Sequence, residues 1–336
     1  MGNFLTFLEE TETKTDIIFP HLGIALRKVG SYVTVFGIKI MFYGIVIGLA
    51  MIIGYLMAEH MAKRTGQNPE PYLDFTIIAV IASVFCARLY YVIFNWSQYK
   101  DNFWDVFNIR AGGLAIYGGV IGGILTAVVF TKIRKLPRYQ FLDTAILGLL
   151  TGQIIGRWGN FFNRECFGTY TDGPFAMLVD TRDVSPYFNP ATSQKMVENV
   201  YAGKTRALER ILEIRNNAVV RDGATYVSVH PTFLYESLWN LVLLVFLCFR
   251  IRRKKFDGEI LLLYLFGYGL GRFWIEGLRT DQLFMFNTPI AVSQLLSAIL
   301  VVGSAIAYVI LWRKNSEKKE SAKETVKESA KKSPEE

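Results

Sequence analysis

Residues 142–168 read LDTAILGLLTGQIIGRWGNFFNRECFG, and the reading of the chain starts there. The first half is apolar and glycine-rich, a helix that must be covered by something other than water. The second half gathers Arg157, Asn160, Asn163, Arg164 and Glu165 within one or two turns. The rest of the chain says what surrounds such a helix. Of 336 residues, 51% are hydrophobic, and mean hydropathy is +0.27. The charged fraction, 20%, is below the soluble norm of about 25%.

The apolar excess is blocked rather than spread out. Working outward, blocks lie at 38–57, 75–94 and 113–130 before the quoted stretch and at 233–249, 260–275 and 290–312 after it. With 142–155, a short and weaker block, they predict seven spans, since about 18–20 apolar residues cross a bilayer. The polar, partly acidic N-terminus has no small-residue cleavage site after the first block, so no signal peptide is expected. Loops after the first, third, fifth and seventh blocks (HMAKRTGQNPE, TKIRKLPRYQ, RIRRKK, WRKNSEKK) are strongly basic and face the cytoplasm. The N-terminus is then outside and the C-terminus inside. The segment 159–232 lies outside, its eight Lys+Arg balanced by eight Asp+Glu.

The expected architecture is an all-α integral membrane protein with seven transmembrane helices and a small extracytoplasmic head domain of mixed structure. Its parts are an outer N-terminal segment (1–37), helices one to four (38–158), the head (159–232), helices five to seven (233–312) and a cytoplasmic tail (313–336). Within the head, 197–217 has apolar residues at helical spacing. The tail from Asn315 is low-complexity and charged, expected to be disordered or at most a solvated helix, with no catalytic role. The formal charge of +8 is mostly topological and needs no nucleic acid partner; basic loops can touch anionic membrane lipid.

Three cysteines, Cys86, Cys166 and Cys248, suit neither a zinc site nor a disulfide framework. Cys166 has no histidine beside it to make it a nucleophile. The three histidines form no metal pattern. Asp143, Asp172 and Asp180 are scattered, unlike the clustered aspartates that hold divalent ions, so no metal and no cofactor are expected.

Several blocks carry ionisable groups at membrane depth, where they are costly and usually functional: Arg88, Asp143, and the Arg157–Glu165 cluster. In block six Tyr268, Arg272, Glu276 and Arg279 are spaced 4, 4 and 3 and share one helical face. An Arg272–Glu276 ion pair would brace that helix; two arginines on one face would also hold a phosphate. Paired glycines at Gly44/Gly48, Gly118/Gly122, Gly119/Gly123, Gly148/Gly152, Gly152/Gly156 and Gly267/Gly271 suit close helix approach. Gly112–Gly113 would also let a loop enter the membrane. The residues therefore predict a polar outer pocket for an anionic, partly apolar ligand, a phospholipid. A transporter would more often show internal repeats, and none is evident. A scaffold would not need the clustered arginines, amides and carboxylates.

These stretches together resemble the prolipoprotein diacylglyceryl transferase family. GRWGNFFNRECFG resembles its G-R-x-G-N-F-x-N-x-E-x-x-G pattern at every defined position. MFYGIVIG, GGLAIYGGVIGG, HPTFLYE and GYGLGRFWIEGLRTD resemble four further motifs in the same order, from about residue 38 to 312. The resemblance implies a bacterial inner-membrane transferase. Its reaction moves the diacylglyceryl group of phosphatidylglycerol to the lipobox cysteine of a preprolipoprotein signal peptide. A thioether forms and glycerol phosphate leaves.

Under that resemblance Arg157 and Arg272 hold phosphate, Asn160 and Asn163 donate hydrogen bonds, and Glu165 and Glu276 orient the arginines. Tyr43 and Tyr268 match functional tyrosines, Arg279 joins the binding face, and Gly168 marks a backbone turn. In some members a histidine stands where this chain has Tyr117. A tyrosine, with a reference pKa of about 10, serves as base only if arginines lower it. No base is assigned, and His230 reads as a helix-start residue before Pro231.

Overall fold

The computed structural model describes residues 8–9, 15–100, 103–109, 112–201, 205–282, 284 and 291–332. Nine α-helices of the described residues carry most of the chain. They are α1 (Phe42–Arg64), α2 (Glu70–Phe94), α3 (Ile116–Ile133), α4 (Arg138–Asn163), α5 (Gln194–Val200), α6 (Thr205–Asn216), α7 (Thr232–Arg250), α8 (Glu259–Leu278) and α9 (Val292–Lys332). Among the described residues, five stretches are long and apolar enough to cross a membrane: α1, α2, α3, Thr232–Arg253 and Val292–Lys318. The blocks at 142–155 and 260–275 are also helical, within α4 and α8. Both helices carry arginine and carboxylate side chains among their apolar residues, and α4 carries asparagines as well.

The first helix starts at Phe42, not at residue 38. Ile38–Met41 is strand β5, paired with β4 (Tyr32–Val35) in a hairpin. Its two-residue turn, Phe36–Gly37, has φ of 50° and 75°, the left-handed pair that matches strand twist. IKIM is apolar, so it reads as one run with the helix that follows. At the other end, α9 continues past Asn315 to Lys332.

Strands β1 (Leu8–Glu9), β4 and β5 form one small sheet. A larger antiparallel sheet has the order β3-β2-β6-β8-β7, where β2 is Thr15–Phe19, β3 Ile24–Val29, β6 Met177–Asp180, β7 Val219–Arg221 and β8 Ala224–Val229. The N-terminal segment thus supplies two strands to the sheet of the 159–232 region. Ile17 faces Val179, and Val179 faces Val227, all at most 1% exposed. Phe161, Phe167, Ile214 and Phe233 complete this core. Buried Arg164 ties the end of α4 to the sheet: it pairs with Asp183 at 3.0 Å and donates to the Val29 carbonyl.

The chain divides into two compact units, residues 1–53, 150–249 and 262–336 in one and 54–149 and 250–261 in the other. In the second unit α2 and α3 pack through Gly118 and Gly122, where a Cβ would lie 2.4 Å from the Cys86 carbonyl and 2.9 Å from the Ala82 carbonyl. Gly119 and Gly123, on the adjoining face, meet only ordinary contacts, and Gly44 and Gly48 have open space.

Arg88 and Asp143 both have structural work in this unit. Arg88 is 6% exposed and donates to the carbonyls of Asp105, Val106, Asn108, Gly112 and Gly113, folding the loop before α3 around itself. Gly112 and Gly113, at φ of 85° and 76°, make that wrapping possible. Asp143, fully buried, accepts from the Gly258 and Leu261 amides and from Lys254 Nζ. It caps α8 from outside the helix, where N-terminal amides have no partner within it.

Candidate active site

The polar cluster lies in the first unit, where α4 ends, α7 begins and α8 ends. Glu236, one turn into α7 and 5% exposed in its side chain, is its centre. Arg157 Nη2 reaches Glu236 Oε2 at 2.6 Å, and Arg272 Nη1 reaches Oε1 at 2.8 Å. Arg279 Nη1 approaches the same Oε1 at 3.7 Å. Arg272 also pairs with Glu276 at 2.5 Å, so the ion pair expected along α8 is present and the second carboxylate comes from α7. Sequence reading did not single out Glu236. Its signal was in the quoted HPTFLYE, a carboxylate followed by an apolar run.

Arg279 follows the last turn of α8 and binds Asp281 through Nε and Nη2, at 2.9 and 2.6 Å. Burial works against the Arg279 cation, yet Asp281 holds its pKa above the ordinary value. Burial likewise works against the Asp281 anion, and Arg279 more than offsets it, so that carboxyl titrates low. Arg210 of α6 fixes the corner, donating to the carbonyls of Gly277 and Arg279 and to Gln282.

Around this centre the remaining candidates divide. Tyr43 packs its ring on Gly159, where a Cβ would come within 2.7 Å. Asn160 is half-buried, and neither its side-chain amide nor the Tyr43 hydroxyl has a hydrogen bond among the described residues. Asn163 Nδ2 donates to Glu165 Oε1 at 3.1 Å; Glu165 itself is exposed and makes no ion pair with an arginine among the described residues. Tyr268 stacks on Tyr264 with centroids 5.5 Å apart, and Tyr264 exchanges hydrogen bonds with Gln153. Tyr117 belongs to the other unit, half-buried in the first turn of α3.

The turn after α4 differs from expectation at Gly168. Left-handed backbone occurs at Arg164 (φ 49°) and Cys166 (φ 58°), not at the glycine. Gly168 is required by close approach: a Cβ would lie 2.7 Å from His230 Cβ and 3.0 Å from the Leu278 carbonyl. It bridges to Arg279, and Thr169 N donates to the Leu278 carbonyl at 2.7 Å. The polar turn is thereby stitched to the end of α8. His230 donates or accepts at the Tyr235 hydroxyl, 3.2 Å away, and burial lowers its pKa. Burial also pushes the Cys166 thiol up to about 11, with Asp281 and Glu165 adding to the shift against Arg279 and Arg157. Such a thiol is inert near neutral pH.

Comparison with known proteins gives the family. Residues 31–310 match the family described as prolipoprotein diacylglyceryl transferase. A phosphatidylglycerol–prolipoprotein diacylglyceryl transferase of Clostridioides difficile (strain 630) is 41% identical over 84% of this chain and 95% of its own length. Proteins of the same name from Halalkalibacterium halodurans and Geobacillus kaustophilus are 38% and 35% identical, over 81% and 90% of this chain and 81% and 95% of their own lengths. The polar turn, its arginines and the apolar helices that carry them therefore belong to a transferase, and the chain is a member of the prolipoprotein diacylglyceryl transferase family.

Proposed function

We propose that this transferase moves the diacylglyceryl group of phosphatidylglycerol to the lipobox cysteine of a preprolipoprotein signal peptide, in the bacterial inner membrane. The observation that carries the reading is the convergence of Arg157 and Arg272 on the two oxygens of one buried carboxylate, Glu236. Glu236 fixes both guanidinium groups, and each retains N–H donors beyond those bonds. A fixed guanidinium pair suits a phosphodiester.

In the reaction the peptide's thiolate sulfur attacks the glycerol carbon that bears the phosphate. The sulfur–carbon thioether bond forms, and the carbon–oxygen bond breaks with its electrons on the phosphate oxygen. Glycerol phosphate leaves, and that monoester, with a second pKa near 6, balances the proton lost by the thiol. Arg157 and Arg272 stabilise the charge that gathers on the leaving oxygen. Asn160 and Tyr43 supply donors not committed elsewhere among the described residues. Asn163, Glu165, Tyr268, Glu276 and Arg279 shape the substrate face, and Gly168 holds the turn against α8.

Seven crossings, with the N-terminus outside and the C-terminus cytoplasmic, complete the reading. The shared sheet supports them. Strand β2 precedes α1 and its partner β6 follows α4. Strands of one sheet lie on one side of a bilayer, so an even number of crossings separates them. Three of the intervening helices are plainly apolar, which favours α4 as a fourth crossing.

The test is a transfer assay with purified protein, phosphatidylglycerol and a lipobox peptide, read by mass spectrometry against a Cys→Ser peptide. A diacylglyceryl adduct on the cysteine peptide alone is expected. Arg157→Ala and Asn160→Ala should abolish it with the protein still in the membrane. Full activity in both would overturn the site.

A further inference from the structure

One buried donor near the arginines has no assigned work. Asn240 lies one turn after Glu236 on α7, is 2% exposed, and its Nδ2 has no hydrogen-bond partner among the described residues. It lines a small cleft, with about 10 Å³ of free space, together with Glu236, Trp239, Tyr268, Arg272 and Ile275. A half-turn about χ2 exchanges its nitrogen and oxygen, so a donor is available to the cleft. A buried amide left unpaired is costly, the more so away from water.

The polar groups form successive layers along the helices. The arginines and Glu236 make the outermost. Four residues along a helix is a step of about 6 Å. Asn240 stands one such step beyond Glu236 on α7, and Tyr268 one step before Arg272 on α8. A further step along α8 brings Tyr264, which satisfies Gln153 and is satisfied by it. The middle layer alone presents an unpaired amide to the cleft. A glycerophospholipid has the matching order: charged phosphate, then ester carbonyls a few bonds further, then acyl chains. An ester carbonyl is an acceptor only, and it would lie in the layer where Asn240 has a donor to give.

The geometry points to Asn240 as a specificity residue that donates to an ester carbonyl of the diacylglyceryl group and so selects diacyl over dialkyl phospholipid. This rests on the reaction proposed above, in which the ester linkages are spectators and the ether lipid is chemically competent.

The experiment compares diacyl phosphatidylglycerol with its dialkyl ether analogue of equal chain length, using the full chain in detergent and the lipobox peptide. Wild type should prefer the diacyl lipid by about tenfold in kcat/KM, the worth of one hydrogen bond. Asn240→Leu should bring the ratio close to one by losing rate on the diacyl lipid only. A merely structural residue would slow both lipids alike. Equal use of both by wild type, a result that needs no variant, would overturn the inference, as would an unchanged ratio in Asn240→Leu. Absence of transfer from the diacyl lipid by folded wild type would overturn the proposed reaction and this inference with it.

Discussion

Glu236→Gln is the perturbation that most directly probes the arginine cluster. The substitution keeps the side chain's shape and removes its charge from two close ion pairs, at 2.6 and 2.8 Å. The two arginines are not equally dependent on it. Arg272 retains Glu276 at 2.5 Å, whereas Arg157 has no second carboxylate among the described residues. Removing one partner of a buried pair costs about 3–5 kcal/mol, because a charge is left uncompensated. Most of that cost should therefore fall on Arg157. Unfolding in mixed detergent micelles measures it, with Trp158 and Trp239, which flank the cluster on α4 and α7, as fluorescent reporters. Adding Arg157→Gln to Glu236→Gln should recover about 1–3 kcal/mol relative to the sum of the single changes. Adding Arg272→Gln should recover less. Equal recovery by both arginine changes, or strict additivity, would refute the reasoning that Glu236 is chiefly the partner of Arg157.

Other outcomes follow from the same packing. Arg88→Met should destabilise the protein by about 3 kcal/mol or more by removing the donors that five carbonyls of the loop before α3 accept from; Arg88→Lys, with a point charge and three donors, should restore only part of it in the same unfolding measurement. Gly118→Ala should cost about 1–3 kcal/mol, since its Cβ would lie 2.4 Å from the Cys86 carbonyl, while Gly48→Ala, with open space around it, should cost nothing measurable. His230 has a folded pKa below its ordinary 6.5 because of burial, so the folded state binds fewer protons than the unfolded one. Its contribution to stability should be full above pH 6.5 and fall as pH drops below it, and His230→Gln should flatten that slope in a pH series of unfolding midpoints.

The helices were legible in the sequence to the extent that burial in lipid leaves a continuous apolar run. Such runs mark α1, α2, α3, α7 and α9, and they blur only at residue 38, where an apolar strand adjoins an apolar helix. The arginine face of α8 was legible from spacing within one helix. Glu236 was not, because its meaning depends on Arg157 and Arg272 on two other helices. Arg88 and Asp143 show the converse: an ionisable residue in an apolar run reads as a functional mark, yet these two satisfy backbone groups of a loop and a helix start. The part played by Gly168 was hidden for the same reason, since its neighbours His230 and Leu278 are distant in sequence.

The pairing of β2 with β6 sets a timetable for biogenesis. Ile17 is made early, and its partner Val179 follows 162 residues later (179 − 17). At about 5–20 residues per second, ribosomes impose a wait on the order of ten seconds or more. Throughout it, the inner edge of β2 is an open row of amides and carbonyls, the kind of edge that recruits foreign strands. Three helices long and apolar enough to cross a membrane, α1 to α3, and then α4 are made before the matching strand emerges. A nascent chain stalled between α1 and α4 would thus present an unfinished sheet, and a quality-control protease or chaperone on that side of the membrane would meet it there.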